Sequence, residues 1–137
     1  MILVDSNVLI DVTADDPLWR EWSVVRLADA AAQGEVAIDQ IVVAEVGPSF
    51  DSLDRFRQRL DMLGIVIVPM TEDAAFLAGQ AFRRYKAGGG AAKMILADFL
   101  IGAHAVTLDA TLLTRDRRFY VKYFPDLPLI TPETDNG

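Results

Sequence analysis

The chain has 137 residues, of which 52% are hydrophobic and 24% charged, and a formal net charge of −7. That length and composition suit one packed domain spanning residues 1–137 and exclude a disordered chain. There is no apolar run of roughly eighteen residues, so no membrane partner is expected, and the absence of cysteine excludes a disulfide framework or a thiolate metal site.

Residues 1–4 read as a short buried strand, and residues 8–10 continue apolar after the polar step Ser6-Asn7. The start is apolar at once and meets an acid too early for a signal peptide, so a cytoplasmic location is expected. Asp15-Asp16-Pro17 opens a helix with apolar spacing that runs to about Ala32 and ends at Gly34. Val36–Ile38 is a second strand, and Asp39 is placed to cap a helix that carries Glu45 and breaks at Gly47-Pro48. A helix over Leu53–Leu63 stops at Gly64. The β-branched run over 65–68 is the clearest strand, closed by Pro69. Thr71-Glu72-Asp73 opens a helix to about Lys86, and Gly88-Gly89-Gly90 is a hinge-like break. A nearly all-apolar helix follows over about 93–106, then a strand at Leu112-Leu113, a short helix at Arg117–Tyr123 and a last strand at Leu129–Ile130. Only the tail over 134–137 looks loose. Strands alternating with helices predict an α/β fold, a mainly parallel sheet of four to five short strands flanked by helices.

Charge is unevenly spread along this order. Between Arg83 and Lys122 stand eight Lys or Arg against Asp98, Asp109 and Asp116; eight minus three leaves +5 there and −12 for the remainder. Such a chain can present a basic surface to phosphates while acidic overall, although solvated side chains on helix faces explain the same count.

Four acids occupy positions that call for an explanation. Asp5 and Asp116 follow strands, and would leave the same sheet edge if those strands are parallel, the edge where ligands gather in such folds. Glu45 and Asp98 sit inside apolar helical stretches, and no same-face neighbour of Asp98 at helical spacing (Met94, Ile95, Ile101, Gly102, Ala105) can neutralise it. A buried unpartnered carboxylate costs several kcal/mol, so it normally finds a cation, a metal or a proton. Several acids with no histidine or cysteine suit magnesium or manganese better than zinc. Each acid also has an ordinary reading: a turn residue for Asp5, a solvent-reaching or Arg-paired side chain for Glu45, an ion pair for Asp98, an exposed salt bridge for Asp116.

Taken together, Ile2-Leu3-Val4-Asp5-Ser6-Asn7-Val8-Leu9-Ile10-Asp11, Ala44-Glu45, the apolar segment Ile95 to Ala105 around Asp98, and Leu113-Thr114-Arg115-Asp116-Arg117-Arg118-Phe119 resemble the PIN-domain family, specifically VapC-type toxins of toxin–antitoxin pairs. The resemblance implies a PIN-like α/β/α fold and a divalent-cation-dependent endoribonuclease. In it Asp5 and Asp98 are the principal ligands of Mg2+ (or Mn2+), with Glu45 and Asp116 completing the acidic pocket. Asn7 and Thr114 orient carboxylates or water. Apart from the resemblance, Arg115, Arg117 and Arg118 are placed to contact RNA phosphates, with at least one of them expected to pair with a nearby acid. The resemblance further implies an RNA substrate cut to 5′-phosphate and 3′-hydroxyl ends, a VapB-type antitoxin and a homodimer. Ser6 stands where the family more often has threonine and keeps the hydroxyl.

Competing readings are narrower. His104 is six residues after Asp98, on a different helix face, and is expected to be packed or partner-facing rather than catalytic. Trp19, Trp22, Phe50 and Phe56 are either core or a partner groove. A phosphatase of the haloacid-dehalogenase type needs a second aspartate where Asn7 stands. A catalytically inactive PIN-like module binding RNA or a partner is the alternative function, disfavoured by the presence of all four acids.

Overall fold

The computed structural model describes residues 1–133; the tail over 134–137 lies outside the described residues. Five strands, β1 (Ile2–Val4), β2 (Val36–Ile38), β3 (Ile65–Ile67), β4 (Thr111–Leu113) and β5 (Leu129–Ile130), form one sheet in the order β3-β2-β1-β4-β5. Every pairing is parallel, with Leu3 opposite both Ala37 and Leu112. The α/β/α expectation is met. Central strands read as continuous apolar runs because helices cover both faces; Leu3, Val4, Ala37, Ile38, Leu112 and Leu113 are fully buried.

Among the described residues seven α-helices flank the sheet: α1 (Ser6–Thr13), α2 (Arg20–Gln33), α3 (Gln40–Val46), α4 (Leu53–Leu63), α5 (Glu72–Ala87), α6 (Ala97–Thr107) and α7 (Arg117–Tyr123). All but α2 and α6 start under a side-chain cap. Asp39 accepts from Ile41 N and Val42 N, Ser52 from Arg55 N and Thr71 from Ala74 N. No helix of the described residues is long and apolar enough to cross a membrane.

Three boundaries differ from the sequence reading. Residues 8–10 do not continue as an apolar strand, since α1 begins at Ser6 under an Asp5 cap. Asp16 caps a turn through Leu18 N and Trp19 N, and α2 starts only at Arg20. The apolar helix opens at Ala97 rather than near Lys93, with Leu96 at its cap and no side-chain bond there.

Two contacts fix α6 where the site needs it. Gly102 lets it close on α7, because a Cβ there would stand 2.5 Å from the Phe124 ring. His104 and Asp39, both fully buried, join α6 to the β2–α3 turn through Nδ1 and Oδ2 at 2.8 Å. That is the packed histidine expected. Of the four aromatics considered for a groove, Phe56 is core, while Trp22 and Phe50 pack against the core partly buried; Trp19 is half-buried against Trp22.

Candidate active site

Parallel pairing of β1 with β4 brings their carboxyl ends together, and Asp5 N donates to Leu113 O at that edge. Asp5 is only 2% exposed, yet well supplied with donors. Its Oδ1 accepts from Ser6 N at 2.8 Å as the cap of α1. Its Oδ2 accepts from Thr114 Oγ1 at 2.7 Å, Tyr120 Oη at 3.0 Å and Asn7 Nδ2 at 3.4 Å. Burial raises its pKa above the ordinary carboxylate value, against the lowering effect of Thr114, Tyr120 and Ser6. The Tyr120 hydroxyl is itself held far above the usual phenol range, by burial first and by the Asp5 charge second, so it stays a donor.

Thr114 and Asn7 knit the edge. Thr114 Oγ1 accepts from Asp116 N at 3.0 Å, and Asn7 Oδ1 accepts from Arg115 N at 3.2 Å. The turn after β4 is therefore locked against the start of α1, which places Asp116 as the cap of α7, accepting from Phe119 N. Glu45, on α3, accepts from the Ser6 hydroxyl at 2.9 Å.

Asp98 lies in the first turn of α6, where the helix N-terminus favours an acid. Its carboxylate takes part in no hydrogen bond or ion pair among the described residues, and its pKa is pushed up to about 7, by burial first and then by repulsion from Asp5, Asp116 and Glu45. The four sequence-selected acids thus share one field. The apolar surroundings expected of the two helix acids, Glu45 and Asp98, are only partly present, while Asp116 has the exposure of its ordinary reading. Glu45 and Asp116 are exposed and Asp98 is half-buried, while Met94 and Ile95, expected on its helix face, precede the helix and face solvent.

The fully buried acids besides Asp5 are Asp11 and Asp39, and both are compensated. Asp11 receives Arg115 Nε at 2.8 Å, Arg115 Nη2 at 2.9 Å and Ser23 Oγ at 2.7 Å. Arg115 also lies over the Trp19 ring at 5.1 Å. Its guanidinium is thereby committed to positioning the β4–α7 turn, so of the three arginines placed for RNA it is the one that pairs with an acid. Arg117 and Arg118 remain exposed on α7. Sequence reasoning gave no role to Tyr120 or Asp11. Asp11, an acid in the apolar run over 8–12, carried the same signal used for Asp98; a hydroxyl-bearing ring one turn beyond Asp116 was the signal for Tyr120.

Among the described residues no group of three His, Cys, Asp or Glu stands ready to hold a metal ion unaided. The donor chemistry nonetheless fits a hard cation: carboxylate oxygens only, one of them carrying no compensating partner, with water left to fill the remaining positions.

Two outcomes are expected. Because Asp98 holds its proton up to about pH 7 in the folded chain but only to the ordinary carboxylate value of 3.8 when unfolded, the folded state binds more protons between these limits. Metal-free stability should therefore fall as pH rises from 4 to 7, and Asp98→Asn should flatten that slope in urea titrations. Arg115→Ala should cost about 3 kcal/mol by leaving Asp11 buried without its cation, and Asp11→Ala in the same chain should recover part of it, as a double-mutant cycle in urea would read.

Comparison with known proteins bears on the family and the fold. The PIN domain family model matches residues 2–125. Ribonuclease VapC10 of Mycobacterium tuberculosis is 31% identical over 132 residues, covering 96% of this chain and 92% of its own. Ribonuclease VapC19 of the same organism is 28% identical over 133 residues, covering 96% and 98%. The crystal structure of FitAcB from Neisseria gonorrhoeae has a TM-score of 0.65 at 25% identity, covering 97% of this chain and 99% of that one. VapBC2 from Rickettsia felis, solved bound to a DNA fragment from their promoter, shares the fold with a TM-score of 0.71 at 23% identity, covering 96% and 98%.

Proposed function

Because the chain belongs to the PIN domain family, we propose that it is a metal-dependent endoribonuclease, the toxin of a toxin–antitoxin pair. The observation that carries this reading is the Asp98 carboxylate, half-buried, unpartnered and pressed by three other acids. Charge of that kind is stable only with a proton or a cation on it.

Asp5 and Asp98 would hold magnesium or manganese, with Glu45 and Asp116 completing the pocket through water. Such an ion supplies binding of the scissile phosphate, activation of water and stabilisation of the leaving oxygen. The chain's own residues prepare this. Thr114, Tyr120 and Asn7 fix Oδ2 of Asp5, and Ser6 N fixes Oδ1, so the carboxyl group is oriented before any ligand arrives. Ser6 holds Glu45 toward the same edge. Asp98 carries the exchangeable proton, bound below about pH 7 and released above it. Water attack at phosphorus then leaves a 5′-phosphate and a 3′-hydroxyl.

A VapB-type antitoxin and a second copy of the chain are the proposed protein partners. Support for the first comes from relatives solved as VapBC complexes. An antitoxin arginine would suit the acidic pocket in place of a cation. The lack of a ready three-acid cage favours one other reading, a catalytically inactive module that binds RNA or a partner.

The test is cleavage of end-labelled single-stranded RNA by antitoxin-free protein with magnesium, with manganese and with chelator. Cleavage should need metal and leave 5′-phosphates. It should fall at least about 100-fold in folded Asp98→Asn, and about tenfold in Tyr120→Phe, the range typical when a group supporting a ligand is lost. Equal behaviour of wild type and Asp98→Asn on every RNA, with tight RNA or partner binding, would establish the inactive module instead.

A further inference from the structure

The chain has twenty acids against thirteen Lys and Arg. Even so, Arg83, Arg84, Lys86, Lys93, Arg117, Arg118 and Lys122 join none of the ion pairs among the described residues. Such segregation in an acidic chain leaves a concentrated positive surface. Part of it is laid out as a line that starts at the acidic site. Helix α7 begins under the Asp116 cap, and Arg118 and Lys122 follow at i and i+4, exposed on one face and about 6 Å apart along the axis. Arg84, at the end of α5, donates from Nη2 to Tyr123 O at 3.2 Å, so a third exposed cation stands at the far end of α7. Four of its five donors remain for a ligand.

Beneath these cations lies an aromatic floor. Phe119, Tyr123 and Tyr85 are half-buried rings gathered around Phe99, with centroids 4.9, 5.2 and 5.5 Å from it. Phe99 is the residue after Asp98, which roots the floor at the acidic site. Gly90 keeps the loop flush with it, since a Cβ there would stand 2.2 Å from the Tyr85 ring. Lys122 Nζ sits 5.4 Å from the Tyr123 centroid. Cations over stackable rings suit a single strand, whose phosphates meet the charges while unstacked bases meet the rings; a duplex would leave the rings unused.

We propose that Arg118, Lys122 and Arg84 form a track that carries the phosphate backbone of single-stranded RNA away from the acidic pocket. The proposal rests on the nuclease reading for its substrate. It also replaces Arg115, whose guanidinium is committed to Asp11, with residues whose donors are available.

The test is binding of a fluorescent single-stranded RNA in chelator, where nothing is cut, across a series of salt concentrations. Each phosphate neutralised contributes about 0.7 to the slope of log K against log salt, so Arg118→Gln with Lys122→Gln should lower that slope by about 1.4. Arg55→Gln with Arg57→Gln, on α4 beside β3 at the other edge of the sheet, should leave it unchanged. An unchanged slope in the α7 pair overturns the track, as does an equal drop in both pairs or the absence of RNA binding by the wild type. The nuclease reading is judged separately, by cleavage with metal, which this metal-free assay does not consult.

Discussion

Asp5 is kept almost dry at the end of the central strand, and a carboxylate in that position is tolerable only where donors surround it. Here they come from α1 (Ser6 N and Asn7), the end of β4 (Thr114) and α7 (Tyr120). Meeting that one demand aligns much of the functional edge. Thr114 must lie beside Asp5, so β4 must run parallel to β1. Tyr120 must point inward, so α7 must turn back over the sheet, which in turn sets Asp116 at its cap and Arg118 and Lys122 on its outer face. The hydrogen-bond geometry around a single acid thus connects strand order to the shape of the site.

The molecule distributes its buried charge unequally, and the inequality has functional content. Asp11 has Arg115 and Ser23, and Asp39 has His104 and two backbone amides. These acids stabilise particular helix placements. Asp98 has no such partner and faces three like charges. An arrangement that compensates two acids so fully and leaves a third exposed to repulsion would, on the proposed function, concentrate the binding free energy of a cation at one position. The unpartnered Asp98 and the donor-saturated Asp5 are therefore two halves of one arrangement, a freely placed carboxyl group beside an oriented one.

Much of the fold could be read along the chain because its signals are local. The β-branched run at β3, the Asp39, Ser52 and Thr71 caps and the glycine stop at Gly64 each act within a few residues. Helix α1 was hidden because its cap is the site residue Asp5 itself and its first turn, Ser6-Asn7, looked like a break between apolar segments. The start of α6 was hidden because Leu96 supplies no capping side chain and the apolar run begins earlier, so periodicity alone marked no boundary. The acids of the site were legible as a set, from strand ends and apolar surroundings, but their burial was not. Whether an acid is compensated depends on partners far away in sequence: Glu45 on Ser6, Asp11 on Arg115, Asp5 on Tyr120. The same distance concealed that Arg115 serves Asp11 rather than a ligand.

On the proposed function, the Asp98 carboxylate exchanges a proton for a divalent cation. Calorimetric titration of manganese into the antitoxin-free protein, in buffers of different ionisation enthalpy from pH 6 to pH 8, measures that exchange directly. Binding should tighten with pH and release close to one proton per ion below about pH 7, with the release vanishing above it and absent in Asp98→Asn. Binding with no proton release at any pH, or no binding at all, would contradict it.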